Sequence, residues 1–219
     1  FLAKNNFVNL LIPFIGVRLI MERIFFPSGN QEIEGLLELN SRDNGVVVTH
    51  PHPVYGGNMY NPVVEALEKA YRAKGYSTLR FNFRGVGKSS GKFANGIGEQ
   101  EDVRSAIAYL KERQVKEIDL AGYSFGTYVN GGVVRNGGMT GKMVMVSPPV
   151  AFMEFGEPES LPCLKFVVTG SRDEIAPAAL LFKILPQWNP EAELRIIEGA
   201  DHFYSGYSKE LESAFISYI

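Results

Sequence analysis

A serine, a carboxylate and an imidazole stand along this chain in settings suited to nucleophilic attack on a carbonyl carbon. Gly122-Tyr123-Ser124-Phe125-Gly126 has the form Gly-x-Ser-x-Gly. Residues 118–121 read as a strand directly before it and a helix-compatible segment follows, so Ser124 falls on a sharp strand-to-helix turn. Such a turn strains the serine backbone, and a Cβ at either flanking glycine would collide with neighbouring backbone. A serine hydroxyl is a poor nucleophile at neutral pH and needs a base within hydrogen-bond reach, with a third group to orient that base. Of the histidines His50, His52 and His202, the last lies in Gly199-Ala200-Asp201-His202-Phe203, after the last predicted strand and before the last predicted helix. A loop there passes over the carboxyl ends of the strands and brings His202 to Ser124. Asp173, after the next-to-last predicted strand, is the expected orienting acid, with Glu174 as its local alternative. Asp201 is a poor one, because consecutive side chains diverge from one backbone; it reads as a cap of its own loop.

Acyl transfer also requires donors aimed at the developing oxyanion. The N–H of Phe125, next to the nucleophile, is one. In Thr49-His50-Pro51-His52-Pro53-Val54-Tyr55-Gly56-Gly57 the two prolines have no N–H to give, which leaves His52 as the expected second donor. The alternative, a metal held by His50 and His52, lacks a third ligand nearby in sequence, so no metal is expected. Gly87-Lys88-Ser89 resembles part of a phosphate-binding loop, but that loop requires glycine at position 82, where this chain has Asn82. Arg84, in the same stretch, reads as a structural bridge, with contact to an anionic substrate from the end of the fourth strand as the lesser alternative.

These groups must be delivered by loops at one end of a sheet. Apolar β-rich runs alternate with helical patterns from end to end, the signature of a mostly parallel sheet covered on both faces. Candidate parallel strands are 45–49, 77–83, 117–121, 142–146, 164–169 and 193–197. Val46-Val47-Val48 and Phe166-Val167-Val168 are continuous apolar runs, as strands buried on both faces require. Segments 22–26 and 32–39, joined by Pro27-Ser28-Gly29-Asn30, suit an antiparallel hairpin at one edge. Asn61-Pro62 opens a helix that Gly75 ends. Val103, Ala106, Ile107 and Leu110 form a second helical stripe, with acidic Glu99, Glu101 and Asp102 before it. Later helices are expected over 125–135, 178–185 and 208–218.

Composition bounds the remaining possibilities. The 219 residues suit one α/β domain, and 45% hydrophobic with 21% charged residues is ordinary for a globular protein. A net charge of −2 without a basic cluster excludes a nucleic-acid footprint. The lone Cys163 excludes an intrachain disulfide, fits a reducing and hence cytoplasmic setting, and reads as a small core residue. Residues 5–17 carry no charge and resemble the apolar part of a signal peptide, yet no small-x-small cleavage site follows and the stretch is too short to span a bilayer. Residues 1–20 are therefore expected to be an appendage to a domain at 21–219, with membrane association as the lesser alternative.

His50-Pro51-His52-Pro53…Gly56-Gly57, Arg80-Phe81-Asn82-Phe83-Arg84-Gly85-Val86-Gly87-Lys88-Ser89 and Gly122–Gly126 together resemble the α/β-hydrolase superfamily, and within it the small, lidless bacterial branch. The resemblance covers residues 21–219. It implies an α/β-hydrolase fold with a mostly parallel eight-stranded sheet, an antiparallel N-terminal hairpin, helices on both faces and no cap domain. It also implies Ser124, Asp173 and His202 as the catalytic triad, in the chain order Ser…Asp…His. Dienelactone hydrolases are similar in size but usually carry cysteine where this chain has Ser124. Only the short stretch from Ser147 to Cys163 stands where larger relatives insert a cap, so the cleft is expected to be open, with Tyr55, Phe125, Pro148, Pro149, Phe152 and Phe155 as apolar walls. Tyr55 and Phe152 are the expected substrate contacts. The function expected is hydrolysis of a small ester, thioester or amide through an acyl-enzyme, with a small acyl compound as partner and no cofactor. Short-peptide cleavage and a non-catalytic binding role on the same fold are the alternatives.

Overall fold

The continuous apolar runs become the interior of the sheet. In a computed structural model, which describes residues 21–138, 141–155 and 160–219, eight strands form one sheet in the order β1-β2-β4-β3-β5-β6-β7-β8. They are β1 (Glu22–Ser28), β2 (Gln31–Glu38), β3 (Asn44–Thr49), β4 (Ser77–Phe81), β5 (Glu117–Tyr123), β6 (Met143–Val146), β7 (Leu164–Gly170) and β8 (Glu193–Ile197). β1 pairs antiparallel with β2, and β2 with β4; every other pairing is parallel. The expected appendage at 1–20 lies outside the described residues. Among the described residues no helix is long and apolar enough to cross a membrane.

Among the described residues five α-helices cover the two faces: α1 (Pro62–Ala73), α2 (Ile97–Glu112), α3 (Phe125–Arg135), α4 (Ala178–Trp188) and α5 (Ser208–Tyr218). Successive strand residues point to opposite faces, so the apolar runs divide. Val46 and Val48 pack with α1 and α5 through Leu67, Tyr71, Leu211 and Phe215. Val47 packs into the opposite layer with α2, α3 and α4, through Leu110, Val129 and Leu181. Asn61 caps α1 by accepting the Val63 N–H at 2.9 Å, with Pro62 at the first helical position.

Several boundaries depart from the sequence reading, each for a local reason. Pro27 and Ser28 belong to β1, pairing with Glu32 and Gln31, so the hairpin turns on Gly29-Asn30 alone. β1 is an edge strand, where proline's missing N–H leaves no partner unsatisfied. β4 ends at Phe81: Asn82 still donates to the Glu34 carbonyl of β2 at 2.9 Å, but the Phe83 N–H turns away to His50 Nε2 at 3.0 Å. α2 starts at Ile97, ahead of the apolar stripe, because the Glu99 carboxylate accepts the N–H groups of Ala94 and Gly96, each at 2.8 Å. α4 runs through Pro186 to Trp188, whose buried indole anchors the last turn against Phe155.

Arg84 and Asp102 staple the β4–α2 loop. Asp102 is fully buried and accepts the Ser28 hydroxyl at 2.7 Å, the Arg84 N–H at 3.0 Å and the Arg84 guanidinium at 2.8 Å. Removing one partner of such a pair leaves an uncompensated buried charge. Asp102→Ala is therefore expected to destabilise the fold by about 3 kcal/mol or more, measured as a loss in urea-unfolding free energy.

Candidate active site

Thr49, at the end of β3, is the surface on which the Ser124 turn rests. A Cβ on Gly126 would strike the Thr49 carbonyl, 2.7 Å away, and a Cβ on Gly122 would meet Thr49 Oγ1 at 2.8 Å and Gly126 backbone at 2.9 Å. Both glycines are thus required for β5 and α3 to approach β3 this closely. Between them Ser124 is forced to φ 51° and ψ −119°. Its N–H donates to the Val146 carbonyl at 2.9 Å, and its own carbonyl accepts the Thr127 N–H at 2.9 Å and hydroxyl at 2.6 Å, so the turn is tied on both sides.

The loops after β7 and β8 bring the other two groups to the serine. Ser124 Oγ lies 3.0 Å from His202 Nε2, and His202 Nδ1 lies 3.0 Å from both oxygens of Asp173. All three side chains are largely buried. Burial alone would raise the Asp173 carboxyl, but hydrogen bonding and charge attraction from His202, a hydrogen bond from Ser147 and the Ala176 N–H outweigh it, so the group stays below the usual carboxylate range. An ionised Asp173 only accepts, which places the imidazole proton on Nδ1 and turns the Nε2 lone pair toward the serine hydroxyl. Glu174 is exposed, and Asp201 accepts the Phe203 N–H at 3.0 Å, closing its own loop.

His52 caps a short 3₁₀ turn at Pro53–Tyr55, its Nδ1 accepting the Val54 N–H at 3.2 Å. Its ring packs against Tyr55, Phe93 and Phe125 at centroid distances of 5.0, 4.9 and 4.7 Å. This stacking sets residue 52 beside residue 125 at the mouth of the Ser124 turn. Tyr55 and Phe152 are exposed, at 86% and 75%. Phe155 is buried against Tyr128 and Trp188, and Pro148, Pro149 and the Phe125 ring are buried as well, so these four are core rather than the open walls expected of them. Tyr128 of α3 and Trp188 of α4 close over Phe155, and His52, Phe83 and Phe93 close over the Phe125 ring. Cys163 is only partly buried at the margin of the core.

Four neighbours of the site carried no assigned role in the sequence. Phe93 walls His52, while Tyr123 donates its hydroxyl to the His202 carbonyl at 2.8 Å. Ser147 and Tyr204 meet at 2.7 Å beside Asp173. Tyr123, inside the Gly-x-Ser-x-Gly motif, and Tyr204, two places from His202, had a positional hint in the sequence; Phe93 and Ser147 had none.

His50 spends both ring nitrogens on the scaffold. Nε2 accepts the Phe83 N–H, so Nδ1 carries the proton and donates to the Pro51 carbonyl at 2.6 Å. Neither nitrogen is left for a metal.

No family model matches the chain. An uncharacterized protein of Rickettsia prowazekii (strain Madrid E) is 32% identical over 211 residues, covering 91% of this chain and 89% of that protein. An alpha-beta serine hydrolase homologue from Coxiella burnetii superposes with a TM-score of 0.84 at 30% identity, over 90% of this chain and 97% of that one. The chain belongs to the α/β-hydrolase superfamily. This α/β hydrolase is also similar to a lidless α/β serine hydrolase from Xanthomonas campestris, with a TM-score of 0.81 at 26% identity over 89% of this chain and 91% of that one. Among the described residues the α/β hydrolase has no separate cap domain between β6 and β7.

His50 generates a pH prediction. Burial lowers its pKa from 6.5 to about 4, against the raising effect of its bond to Pro51. The unfolded chain therefore binds a proton near 6.5 that the folded hydrolase refuses until about pH 4. The stability this contributes is full above pH 6.5 and is lost as pH falls toward 4, on the order of 3 kcal/mol in all. Urea unfolding across this range is expected to show the loss in the wild type and a flatter profile in His50→Gln.

Proposed function

We propose that this hydrolase cleaves a small ester, thioester or amide through an acyl-enzyme on Ser124. The observation that carries this reading is the 3.0 Å contact between Ser124 Oγ and His202 Nε2, with Nδ1 held on Asp173. In the first step Ser124 Oγ attacks the substrate carbonyl and its proton passes to Nε2. Asp173 stabilises the imidazolium that results. His202 then returns the proton to the departing alcohol, thiol or amine as the acyl–oxygen bond to Ser124 remains. Water enters, loses its proton to His202 and attacks the acyl carbon, and Ser124 recovers its hydrogen as the acid leaves.

The tetrahedral oxyanion is held by the N–H groups of Phe125 and His52. Phe125 opens α3, so its N–H has no partner within the helix, and the positive end of the helix dipole faces the same point. No acceptor takes the N–H of His52 among the described residues. Exposed Tyr55 and Phe152 supply apolar contact to the acyl or leaving group.

Ser124→Ala is expected to lower p-nitrophenyl acetate turnover by on the order of 10⁴ or more, with an unchanged urea midpoint. A fluorophosphonate probe is expected to label the wild type and not the variant. Undiminished turnover by Ser124→Ala contradicts the reading, and a wild type that neither turns over esters nor takes the probe favours a binding role instead.

A further inference from the structure

Backbone strain in this protein is concentrated. Five described non-glycine residues have positive φ: Asn95, Gln114, Ser124, Ser147 and Tyr204. Gln114 lies just past α2, a usual place for it, and Asn95 is of a type that tolerates this conformation. Ser147 at φ 46° and Tyr204 at φ 54° have no such excuse, and both are buried. Strain of this kind persists only where the surroundings over-determine it. Their hydroxyls meet at 2.7 Å, 57 residues apart in the chain.

The proton order in this pair follows from Asp173. Its Oδ1 accepts the N–H groups of Ile175 and Ala176 at 2.9 and 2.7 Å, besides His202. Oδ2 also faces His202, at 3.0 Å, but has no backbone donor among the described residues. Thr169 Oγ1 is 3.4 Å from it but has one proton, which goes to the Ala176 carbonyl at 2.7 Å. The Ser147 hydroxyl is the other one that helps hold this carboxyl below its usual range. Ser147 follows β6, its N–H donating to the Val168 carbonyl of β7 at 2.8 Å, and β7 leads directly into Asp173. A carboxylate cannot donate, so Ser147 gives its proton to Asp173 and accepts from Tyr204. Burial holds the Tyr204 phenol well above its usual range, so it stays protonated as the donor.

We propose that Ser147 and Tyr204 are positioning residues, a two-hydroxyl relay that steadies the Asp173 carboxylate and clamps the His202 loop onto the end of β6. The inference rests on the acyl-enzyme reading for its kinetic consequence, though not for its geometry. Tyr204 sits two residues from His202 and Tyr123 grips the His202 carbonyl, so the loop is held at two points. The relay acts only through Asp173 and touches no substrate.

The test compares Ser147→Ala, Tyr204→Phe and their combination, in the wild type and in an Asp173→Asn background. Each single variant is expected to lower kcat for p-nitrophenyl acetate about tenfold, the worth of one hydrogen bond to a charged group, with KM unchanged. The double variant is expected to be no slower than Ser147→Ala, and neither substitution is expected to slow Asp173→Asn further. A second readout needs no turnover: the low-field proton resonance of His202 Nδ1, assigned by its loss in His202→Asn, is expected to move in both single variants. Wild-type kcat in both, an equal loss in the Asp173→Asn background, or a lowered melting temperature with an unmoved resonance overturns the relay. Tyr204→Phe keeps the buried ring, so it reports even where Ser147→Ala fails to fold. If the wild type hydrolyses no ester, the acyl-enzyme reading falls while the resonance still decides the relay.

Discussion

Ser124 holds its positive φ because two glycines let the turn between β5 and α3 lie directly on the backbone of Thr49. That contact aims the serine side chain at the space above the sheet, where the loops after β3, β7 and β8 also end. A methyl group at position 122 or 126 would push the turn away by a sizeable fraction of an ångström. The hydroxyl would then leave the reach of an imidazole held by other loops. The rigid parallel sheet is the frame that makes such an alignment possible, since each loop is anchored at both ends in the core.

The electrostatics of the site follow from the same arrangement. Asp173 is buried, which opposes its charge, yet it is surrounded by N–H and O–H donors and by His202, which favour that charge. The balance leaves an ionised acceptor that determines where the imidazole proton sits. His50 and His52, two residues apart, take opposite parts in the scaffold. His50 is sealed in the core, neutral, bridging Pro51 and Phe83. His52 lies among rings at the cleft mouth, its backbone stiffened by the flanking prolines.

Much of this was legible in the residues themselves. Val46-Val47-Val48 divides between two helical layers because a strand buried on both faces needs no alternation, and that run is visible as it stands. Gly122–Gly126 carries its steric reason within five residues, and His202 and Asp173 were located by their places after strands. What could not be read depended on partners far away in the chain. β4 ends where His50, 33 residues earlier, takes the Phe83 N–H. Phe155 is core because Trp188 and Tyr128 lie against it. Ser147 has no local pattern at all, since its importance arises only when β6 and β7 pair and Tyr204 folds back over them.

The proposed mechanism is covalent, with the acyl group carried on the hydroxyl of Ser124 between two half-reactions. Rapid acid quenching during the first turnovers of p-nitrophenyl acetate, followed by mass spectrometry of the digested protein, reads this directly. The account predicts one acetyl group on the peptide containing Ser124, formed in a burst with nitrophenolate release. An adduct on another residue, such as Cys163, or turnover with no adduct under conditions that would trap one, would contradict it.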